Sequence, residues 1–552
     1  MGLLKKPRID YCSFIAIAAA ILAFFFKLFL FSRRSLYIDP DEGYYLLLAQ
    51  NLLEGKGYTF NGLPNVVMPP FLPLAISFFY LIFRNLQFSL ALISALSGSL
   101  LGILIYSLAR RMVVPLLALS ASLLTLFLYQ LNAFLPLAEP YIRNLYRGSD
   151  IVNCLLVFLS LYFTILLVDK GKALHAAGAG LFLALSYLTR PEGFLLFIIV
   201  FIGLCSLKFV SMIRVSYKKI ALGLAVFVLL AGPYIFYLRK VTGQWTLSGK
   251  VGSALSYRTA LLEVIKNENW SSFRRNHYSL NTETMEMNDI YFGFHLKSKT
   301  TQEPSSSFGL RKTWENLALY PIVPKVLLPL HLAILTGLGL AVGLLGIFKK
   351  RDGLHLSLFI LIPYSLAVAA LSYPIPRHHL FLVPLGCFYS MIGLNAFFSH
   401  LPSFKKKQQK WIMEIVLALI GLAVINDHLV RLSKYQLNIP EFKHSLMIEK
   451  QIGEYLKPKN PAVIMSLYPN LAIRSHSDWQ VMPFSPLPQI LKFAEHKNVD
   501  YIVLRQEKGL FYRIIDLANS APFAGDGEEI EFTIVERKPY FELAVIKESK
   551  DI

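Results

Sequence analysis

Long apolar runs are the feature that most constrains how this sequence can fold. Hydrophobic residues make up 55% of the 552-residue chain, and the mean hydropathy is +0.50. A soluble domain could not remove this much apolar surface from water. Runs of about 17 to 25 apolar residues instead match a hydrocarbon core about 30 Å thick. We therefore predict a polytopic α-helical membrane protein with about eleven transmembrane helices. The predicted spans lie at about 12–32, 88–109, 113–135, 151–168, 173–189, 193–210, 219–238, 325–348, 354–373, 379–399 and 411–428.

The C-terminal part of the chain, residues 429–552, has a different pattern. Short apolar runs alternate there with helical periodicity, which predicts a small α/β domain outside the membrane. The predicted helices are Glu441–Tyr455 and Pro486–His496, and the predicted strands are Ala462–Leu467, Tyr501–Leu504, Ile530–Val535 and Phe541–Ile546. The chain thus divides into a transmembrane domain, 1–428, and an extracytoplasmic domain, 429–552. Two long external segments interrupt the first domain: 33–87, with interfacial helices, and 239–324.

Charge and cysteine usage exclude several classes of protein. The formal net charge is +20, but many basic residues lie at the ends of spans, as membrane orientation requires. We therefore expect membrane lipids and no nucleic acid among the partners. All four cysteines fall in apolar runs and form no disulfide framework or metal-binding spacing. The chain also lacks a Walker A loop, so ATP-driven transport has no support.

The orientation depends on Phe71–Phe83, a 13-residue apolar run that is too short to cross a bilayer unaided. Basic residues at positions 5, 6 and 8 place the N-terminus in the cytoplasm. If 71–83 does not cross, five further basic clusters are also cytoplasmic, and only Arg33-Arg34 dissents. This choice puts segment 33–87, the turn at 189–193 and the C-terminal domain together on the external face.

Asp39-Pro40-Asp41-Glu42-Gly43-Tyr44-Tyr45 is the first candidate site on that face. One interpretation is a solvated loop with a helix N-cap, since these residue types start helices well. The other is an active site on a helix that lies along the membrane interface. A desolvated carboxylate there could accept a proton from a hydroxyl group, as a general base must.

Two more acidic positions come from the next external segment and the span after it. Asp150 begins the predicted span at 151, and Glu139 lies upstream. A charged residue at the end of a span is often only a boundary marker. What gives Asp150 a further interest is the external face that it shares with Asp41.

Basic residues occur at two external turns. Arg190-Pro191-Glu192 leaves almost no room for a loop, so either a structural Arg–Glu pair or a phosphate-binding arginine is expected. Arg377-His378 could bind an anionic leaving group or simply extend toward the interface. Metal binding by His378 and His379 has little support, because adjacent side chains on a helix point in different directions.

Together these motifs resemble the GT-C superfamily of polytopic glycosyltransferases, in particular its branch of protein O-mannosyltransferases and lipid A aminoarabinose transferases. The resemblance covers the membrane part up to about residue 400. The motifs that carry it are Asp41-Glu42-Gly43-Tyr44-Tyr45, Gly55-Lys56-Gly57, Pro69-Pro70, Ser149-Asp150, Arg190-Pro191-Glu192-Gly193 and Arg377-His378 ahead of Pro384.

The resemblance also implies roles for individual residues. Asp41 would be the catalytic carboxylate and Asp150 the second acidic motif, with Glu42 supporting the geometry. A divalent cation would be compatible with Glu42 or Asp150, but no cofactor is certain. The donor phosphate would face Arg190, Arg377 and His378, although members of the superfamily commonly have tyrosine in place of this histidine. Further supporting positions are Glu139, Glu192 and Tyr44.

The implied activity is transfer of a sugar from a polyprenyl-phosphate donor to an acceptor on the external face, with inversion and with Asp41 as general base. The acceptor could be a lipid, a glycan or a protein. A bacterial plasma membrane is the expected location, with the active site and C-terminal domain outside the cytoplasm. The alternative is a secondary transporter or flippase for a lipid-linked substrate. Such proteins are expected to carry charges near mid-membrane and repeated halves, which this sequence does not show.

Overall fold

The membrane part of the protein is a bundle of apolar α-helices. The computed structural model describes residues 10–33, 40–60, 63–131, 148–210, 213, 215–249, 280–281, 286–287, 330–350, 353–371, 376–399, 408, 411–423, 426, 451–459, 461–466, 469–483, 485, 487–505, 511–516, 529–535 and 542–547. The helices of the bundle are α1 Tyr11–Arg33, α2 Pro40–Leu53, α3 Phe71–Phe83, α4 Leu86–Ala109, α5 Pro115–Leu131, α6 Gly148–Lys170, α7 Ala173–Thr189, α8 Gly193–Phe209, α9 Tyr217–Thr242, α10 Leu330–Lys350, α11 Gly353–Phe359, α12 Leu361–Leu371, α13 Leu382–Ser399 and α14 Trp411–Ala423.

Most predicted spans correspond to single helices. Within the described residues, five helices are long and apolar enough to cross a membrane, namely α1, α4, α6, α9 and α13, and the other apolar helices are shorter. The predicted span at 354–373 corresponds to two consecutive helices, α11 and α12, that meet at Ile360, and whether it crosses the membrane stays a prediction. The predicted number of about eleven crossings stays a prediction.

Helices α1 and α4 run antiparallel. At one end, Arg110 after α4 donates to the carboxylate of Asp10 before α1, at 2.9 Å. Near the other end, the Lys27 ammonium on α1 donates to the Ser94 carbonyl on α4, at 3.3 Å. The 13-residue helix α3 lies between these two helices in the sequence. The antiparallel arrangement is what we expect if neither α2 nor α3 carries the chain across the bilayer.

Helix α2 is enclosed by other parts of the protein, since every residue from Gly43 to Asn51 is buried. Its predicted position along the membrane interface stays a prediction. The segment Tyr44–Ala49 is apolar on all sides, so it has no polar face to present to water. Helix α3 follows α2 and exposes Leu74 and Phe78, which fits contact with lipid. Of the two short helices, α3 alone therefore has the surface of an interfacial helix.

Short polar elements connect the helices of the bundle. A hairpin of β1 (Thr59–Phe60) and β2 (Leu63–Pro64) follows α2, and β3 (Leu280–Asn281) pairs with β4 (Glu286–Met287). The Asn85 side chain caps α4 by accepting from the Phe88 amide at 2.9 Å. Of the long segment 239–324, the structure describes only 239–249 and these two short strands.

The C-terminal part contains a six-stranded mixed sheet. Its strands are β5 Val463–Ser466, β6 Asp478–Val481, β7 Tyr501–Arg505, β8 Phe511–Asp516, β9 Glu529–Val535 and β10 Glu542–Lys547, in the order β10-β9-β8-β7-β5-β6. Strand β5 pairs in parallel with β6 and β7, and the other pairs are antiparallel. Helix α15 (451–456) precedes the sheet, α16 (Asn470–Ser475) connects β5 to β6, and α17 (Leu487–His496) connects β6 to β7.

The sheet buries two apolar faces, as its alternating side chains predict. Met465 and Ile502 pack against Phe493 of α17. Ile464 and Trp479 face the opposite way and belong to the same continuous apolar core as the membrane helices. The boundary predicted near residue 429 falls in 424–450, of which the structure describes only residue 426.

Candidate functional site

The first turn of α6 places a carboxylate inside the protein. Asp150 is the third residue of this helix, where the helix dipole favours a negative charge. Its side chain has no exposed surface. Oδ1 accepts a hydrogen bond from Arg190 Nη1. Oδ2 is also buried and has no hydrogen-bond partner among the described residues.

Arg190 and Glu192 lie on the tight turn between α7 and α8. The Gly193 amide donates to the Arg190 carbonyl at 2.9 Å, which closes the turn. Arg190 Nη2 lies 3.3 Å from Glu192 Oε1, so one guanidinium contacts two carboxylates. The side chains of Arg190 and Glu192 are only 14% and 19% exposed. Such burial of ionisable groups is costly unless they are paired or functional.

A third segment completes this ionic network. Residues Pro376–His379 form a 3₁₀ helix before α13. Nδ1 of His378 lies 3.7 Å from Glu192 Oε1. The neighbouring His379 ring faces a different partner, with Nδ1 2.8 Å from Ser365 Oγ on α12.

We name Asp150, Arg190, Glu192 and His378 the ionic network. With two carboxylates and one guanidinium, these four side chains carry a net negative charge while His378 is neutral. Arg190 has five N–H donors, and only two carboxylates contact it in the described part of the chain. The remaining donors can contact a further anion.

A second group of side chains connects α2 to this region. Asn51 on α2 donates to the Thr59 carbonyl at 2.8 Å. The ring of the neighbouring Tyr58 lies 6.2 Å from that of Tyr237 on α9, which stacks on Tyr234 of the same helix. The Tyr234 ring lies 6.1 Å from that of Tyr187 on α7, one turn before Arg190. Ser186, next to Tyr187, donates to Asn153 at 2.7 Å, and Asn153 lies one turn after Asp150 on α6. Contacting side chains thus extend from the helix that carries Asp41 to the helix that carries Asp150.

Comparison with known proteins gives a partial family match and a similar fold. Residues 67–237 match the family model described as dolichyl-phosphate-mannose-protein mannosyltransferase, and none of the curated proteins compared with the chain matches it. The apo crystal structure of the Archaeoglobus fulgidus oligosaccharyltransferase is similar to this chain, with a TM-score of 0.53 and 14% identity over 89% of this chain and 69% of that chain. The family model thus matches part of the membrane bundle, and the solved structure shows that the chain has a similar fold.

Further structures are similar over much of the chain. The Archaeoglobus fulgidus enzyme tethered with an acceptor peptide gives a TM-score of 0.53 at 14% identity, over 90% of this chain and 69% of that chain. ArnT from Cupriavidus metallidurans bound to undecaprenyl phosphate gives 0.45 at 13% identity, over 87% of both chains. The match over 67–237 agrees with the predicted glycosyltransferase family, and the apolar helices support the predicted integral membrane protein.

Within this fold, the predicted site residues fall into two groups. Asp150, Arg190, Glu192 and His378 lie together in the ionic network. Asp41 and Glu42 lie in the first turn of α2, where Glu42 is half-buried. The backbone of Asp41 and of Arg377 is described but their side chains are not, and Asp39 and Glu139 lie outside the described residues. The catalytic and phosphate-binding roles therefore stay predictions.

Tyr44, predicted as a supporting residue, packs between α2 and two neighbouring elements, and its supporting role stays a prediction. It is 9% exposed, and its ring contacts Phe60 of the hairpin at 5.8 Å and Trp479 of the C-terminal sheet at 5.5 Å. These contacts are structural, between α2 and two neighbouring elements.

Sequence reasoning missed several polar residues beside the ionic network. Asn153 and Ser186 support α6 and α7, and Tyr364 on α12 interacts electrostatically with both Arg190 and Glu192. Asn153 lies three residues after Asp150 on the same helix, so helical periodicity could have identified it. No sequence signal places Tyr364 there, because it is an ordinary aromatic residue in an apolar run.

The described side chains do not provide a metal site. No group of three or more His, Cys, Asp or Glu side chains among them is arranged to hold a metal ion. Asp150 Oδ2 is a single oxygen ligand, whereas divalent cations such as Mg²⁺ take about six. The divalent cation that would be compatible with Glu42 or Asp150 thus stays an untested prediction.

Proposed function

We propose that this protein transfers a sugar from a polyprenyl-phosphate donor to an acceptor at the end of the bundle that holds the ionic network. The matching family model is described by a donor of this class, dolichyl-phosphate mannose. The energy for transfer travels with the lipid-linked donor, so no nucleotide site is required. This agrees with the absence of a Walker A loop from the sequence.

The observation that carries the proposal is the state of Asp150. A purely structural ion pair is expected to satisfy both oxygens of a fully buried carboxylate. Oδ1 contacts Arg190, but Oδ2 has no hydrogen-bond partner in the described part of the chain. Buried polar atoms of this kind are typical of sites that bind a further group.

The reaction follows from the residues and the expected donor. The acceptor oxygen or nitrogen attacks the anomeric carbon, and the bond from that carbon to the phosphate oxygen breaks with inversion. Asp41 takes the proton of the acceptor as general base. The polyprenyl phosphate leaves with the bonding electron pair, and the cationic side chains of Arg190 and Arg377 offset its growing charge.

In this scheme, Asp150 and Glu192 hold the Arg190 guanidinium in place. Two carboxylate contacts fix its plane and leave further N–H donors for phosphate oxygens. His378 lies beside Glu192, where a protonated imidazole would reduce the negative charge that opposes phosphate binding. The acceptor is a lipid, a glycan or a protein, and the external face of a bacterial plasma membrane is the proposed location.

Reconstitution into proteoliposomes tests this function. Purified protein is incubated with radiolabelled polyprenyl-phosphate sugars and bacterial lipid, glycan and protein acceptors, and covalent transfer is measured. We expect transfer by the wild type and loss of transfer in Asp41→Asn and Asp150→Asn. Asp169→Asn is the matched control, since Asp169 pairs with Arg111 at the opposite end of the bundle, at 3.1 Å. Movement of labelled donor across the membrane without covalent transfer would instead support the transporter alternative.

A further inference from the structure

We infer that the C-terminal domain positions the first turn of α2, and with it Asp41, through Pro469, Asn470 and Trp479. The inference rests on the proposed function, in which Asp41 is the general base. The C-terminal domain would thus help to position the first turn of α2, because these three residues contact α2 from outside the bundle. We name this set of contacts the α2 clamp.

The first part of the α2 clamp is a close approach at Gly43. A Cβ atom at this position would lie 2.9 Å from both Pro469 Cγ and Asn470 Oδ1. Real Cβ atoms essentially never come this close, so only glycine lets α16 approach α2 to this distance. Asn470 is itself buried, at 4% exposure, so it has little room to move away.

The second part is an aromatic contact at the neighbouring residue. The rings of Tyr44 and Trp479 lie 5.5 Å apart. Trp479 is 2% exposed, and its Nε1 donates to the Ser466 carbonyl on β5 at 3.1 Å, which fixes the indole in the sheet. A rigid aromatic group anchored in one domain and packed on another restrains their relative position.

A third contact at this interface lies on its exposed edge. Lys56 Nζ lies 2.6 Å from Asp478 Oδ1 and 2.9 Å from Glu54 Oε2. The Lys56 and Asp478 side chains are 44% and 42% exposed, and exposed pairs contribute little energy. Lys56 is therefore a control position at the same interface.

Asp41 is two residues from Gly43 in the same helical turn. A helix rises about 1.5 Å per residue, so the clamp acts on backbone about 3 Å along the axis from Asp41. A displacement of about 1 Å in a catalytic group can reduce the rate a hundredfold. The α2 clamp is thus close enough to control the position of Asp41 without contacting substrate.

Kinetics of the full-length protein in proteoliposomes test the clamp. We expect Trp479→Ala and Gly43→Ala to lower kcat by roughly ten- to a hundredfold while KM for the donor changes less than about twofold. Trp479→Phe, which keeps an aromatic ring, should restore most of the rate. The controls are Lys56→Ala and Gly232→Ala, since a Cβ at Gly232 has nothing within 4 Å. Both should match the wild type, and equal loss in these controls would overturn the inference.

A second measurement does not depend on catalysis. In an Asp41→Cys background, the rate of maleimide labelling at position 41 is followed by peptide mass spectrometry, which separates it from the four native cysteines. We expect Trp479→Ala to raise this rate at least severalfold relative to Trp479→Phe. An unchanged rate would refute the clamp even if the wild type transfers sugar. Failure of sugar transfer by the wild type, with a raised labelling rate, would instead refute the proposed function alone.

Discussion

Removing Arg190 should destabilise the protein far more than removing a similar arginine at the other end of the bundle. The Arg190 side chain is 14% exposed and its partner Asp150 has no exposed surface. In Arg190→Gln the Asp150 carboxylate stays buried without a counter-charge, and breaking a buried pair in this way costs about 3–5 kcal/mol. Arg111 and Asp169 are 19% and 27% exposed. Water can solvate them once the pair is broken, so Arg111→Gln should cost at most about 1 kcal/mol.

The assay is unfolding in mild detergent, with the free energy of unfolding compared between variants. A double-mutant cycle with Asp150→Asn sharpens it, because removing both charges removes the penalty for burying either one. We therefore expect Asp150→Asn/Arg190→Gln to be more stable than Arg190→Gln alone. The reasoning would be refuted if the losses in free energy of unfolding were additive in the double mutant, or equal for Arg190→Gln and Arg111→Gln. Either result would show that the buried charges of the ionic network do not stabilise one another.

Two further predictions concern packing and pH. A Cβ at Gly339 on α10 would clash with the Tyr389 carbonyl oxygen on α13. Gly339→Ala should therefore destabilise the bundle by about 1–3 kcal/mol in the same unfolding assay, and stability equal to the wild type would contradict this close packing. Burial alone would raise the pKa of Asp10, but hydrogen bonds from Ser13, Tyr106 and Arg110 outweigh it and lower the pKa to about 2. The stability that this ionised carboxylate contributes is present above the unfolded pKa of about 4 and is lost as the pH falls toward 2. The difference in free energy of unfolding between wild type and Asp10→Asn should therefore shrink over that range. A constant difference would show that the Asp10 carboxylate does not stabilise the fold.

Apolar periodicity was enough to predict the positions of the helices in the sequence, but not how the helices pack against one another. The predicted starts of α7 and α8, at 173 and 193, agree with the structure, because charged or turn residues border each apolar run. The interruption between α11 and α12 was not predicted, because hydropathy does not detect a change of helix geometry at Ile360, an apolar residue. In the C-terminal domain, β6 and β8 were missed. Strand β6 is short and half polar, whereas the aromatic and β-branched residues of β8 are typical of a strand and could have identified it.

The sequence predicted which residues of the candidate site lie on the same face, but not which other side chains surround them. The number of predicted crossings and the positions of the basic clusters placed four residues on one face of the membrane. The structure brings the side chains of these residues together: Asp150, Arg190, Glu192 and His378. The two readings left open for Arg190 are not exclusive, since its guanidinium contacts Glu192 and still has donors for an anion. Tyr364 shows the limit of the approach, because a contact between α12 and the turn after α7 has no local sequence signature.

Helix α2 bears on both the predicted helices and the predicted site. Its segment Tyr44–Ala49 carries no polar face, which a helix at a water–lipid boundary would need. The sequence Asp41-Glu42 before this segment is polar, so only the first turn of α2 is suited to contact water or substrate. The remainder must be enclosed by protein, and part of that enclosure is the Trp479 contact from the C-terminal sheet. Because α2 carries the proposed base and is partly covered by the C-terminal domain, it depends on that domain for its position. Deleting the C-terminal domain should therefore destabilise α2 before it destabilises the transmembrane bundle.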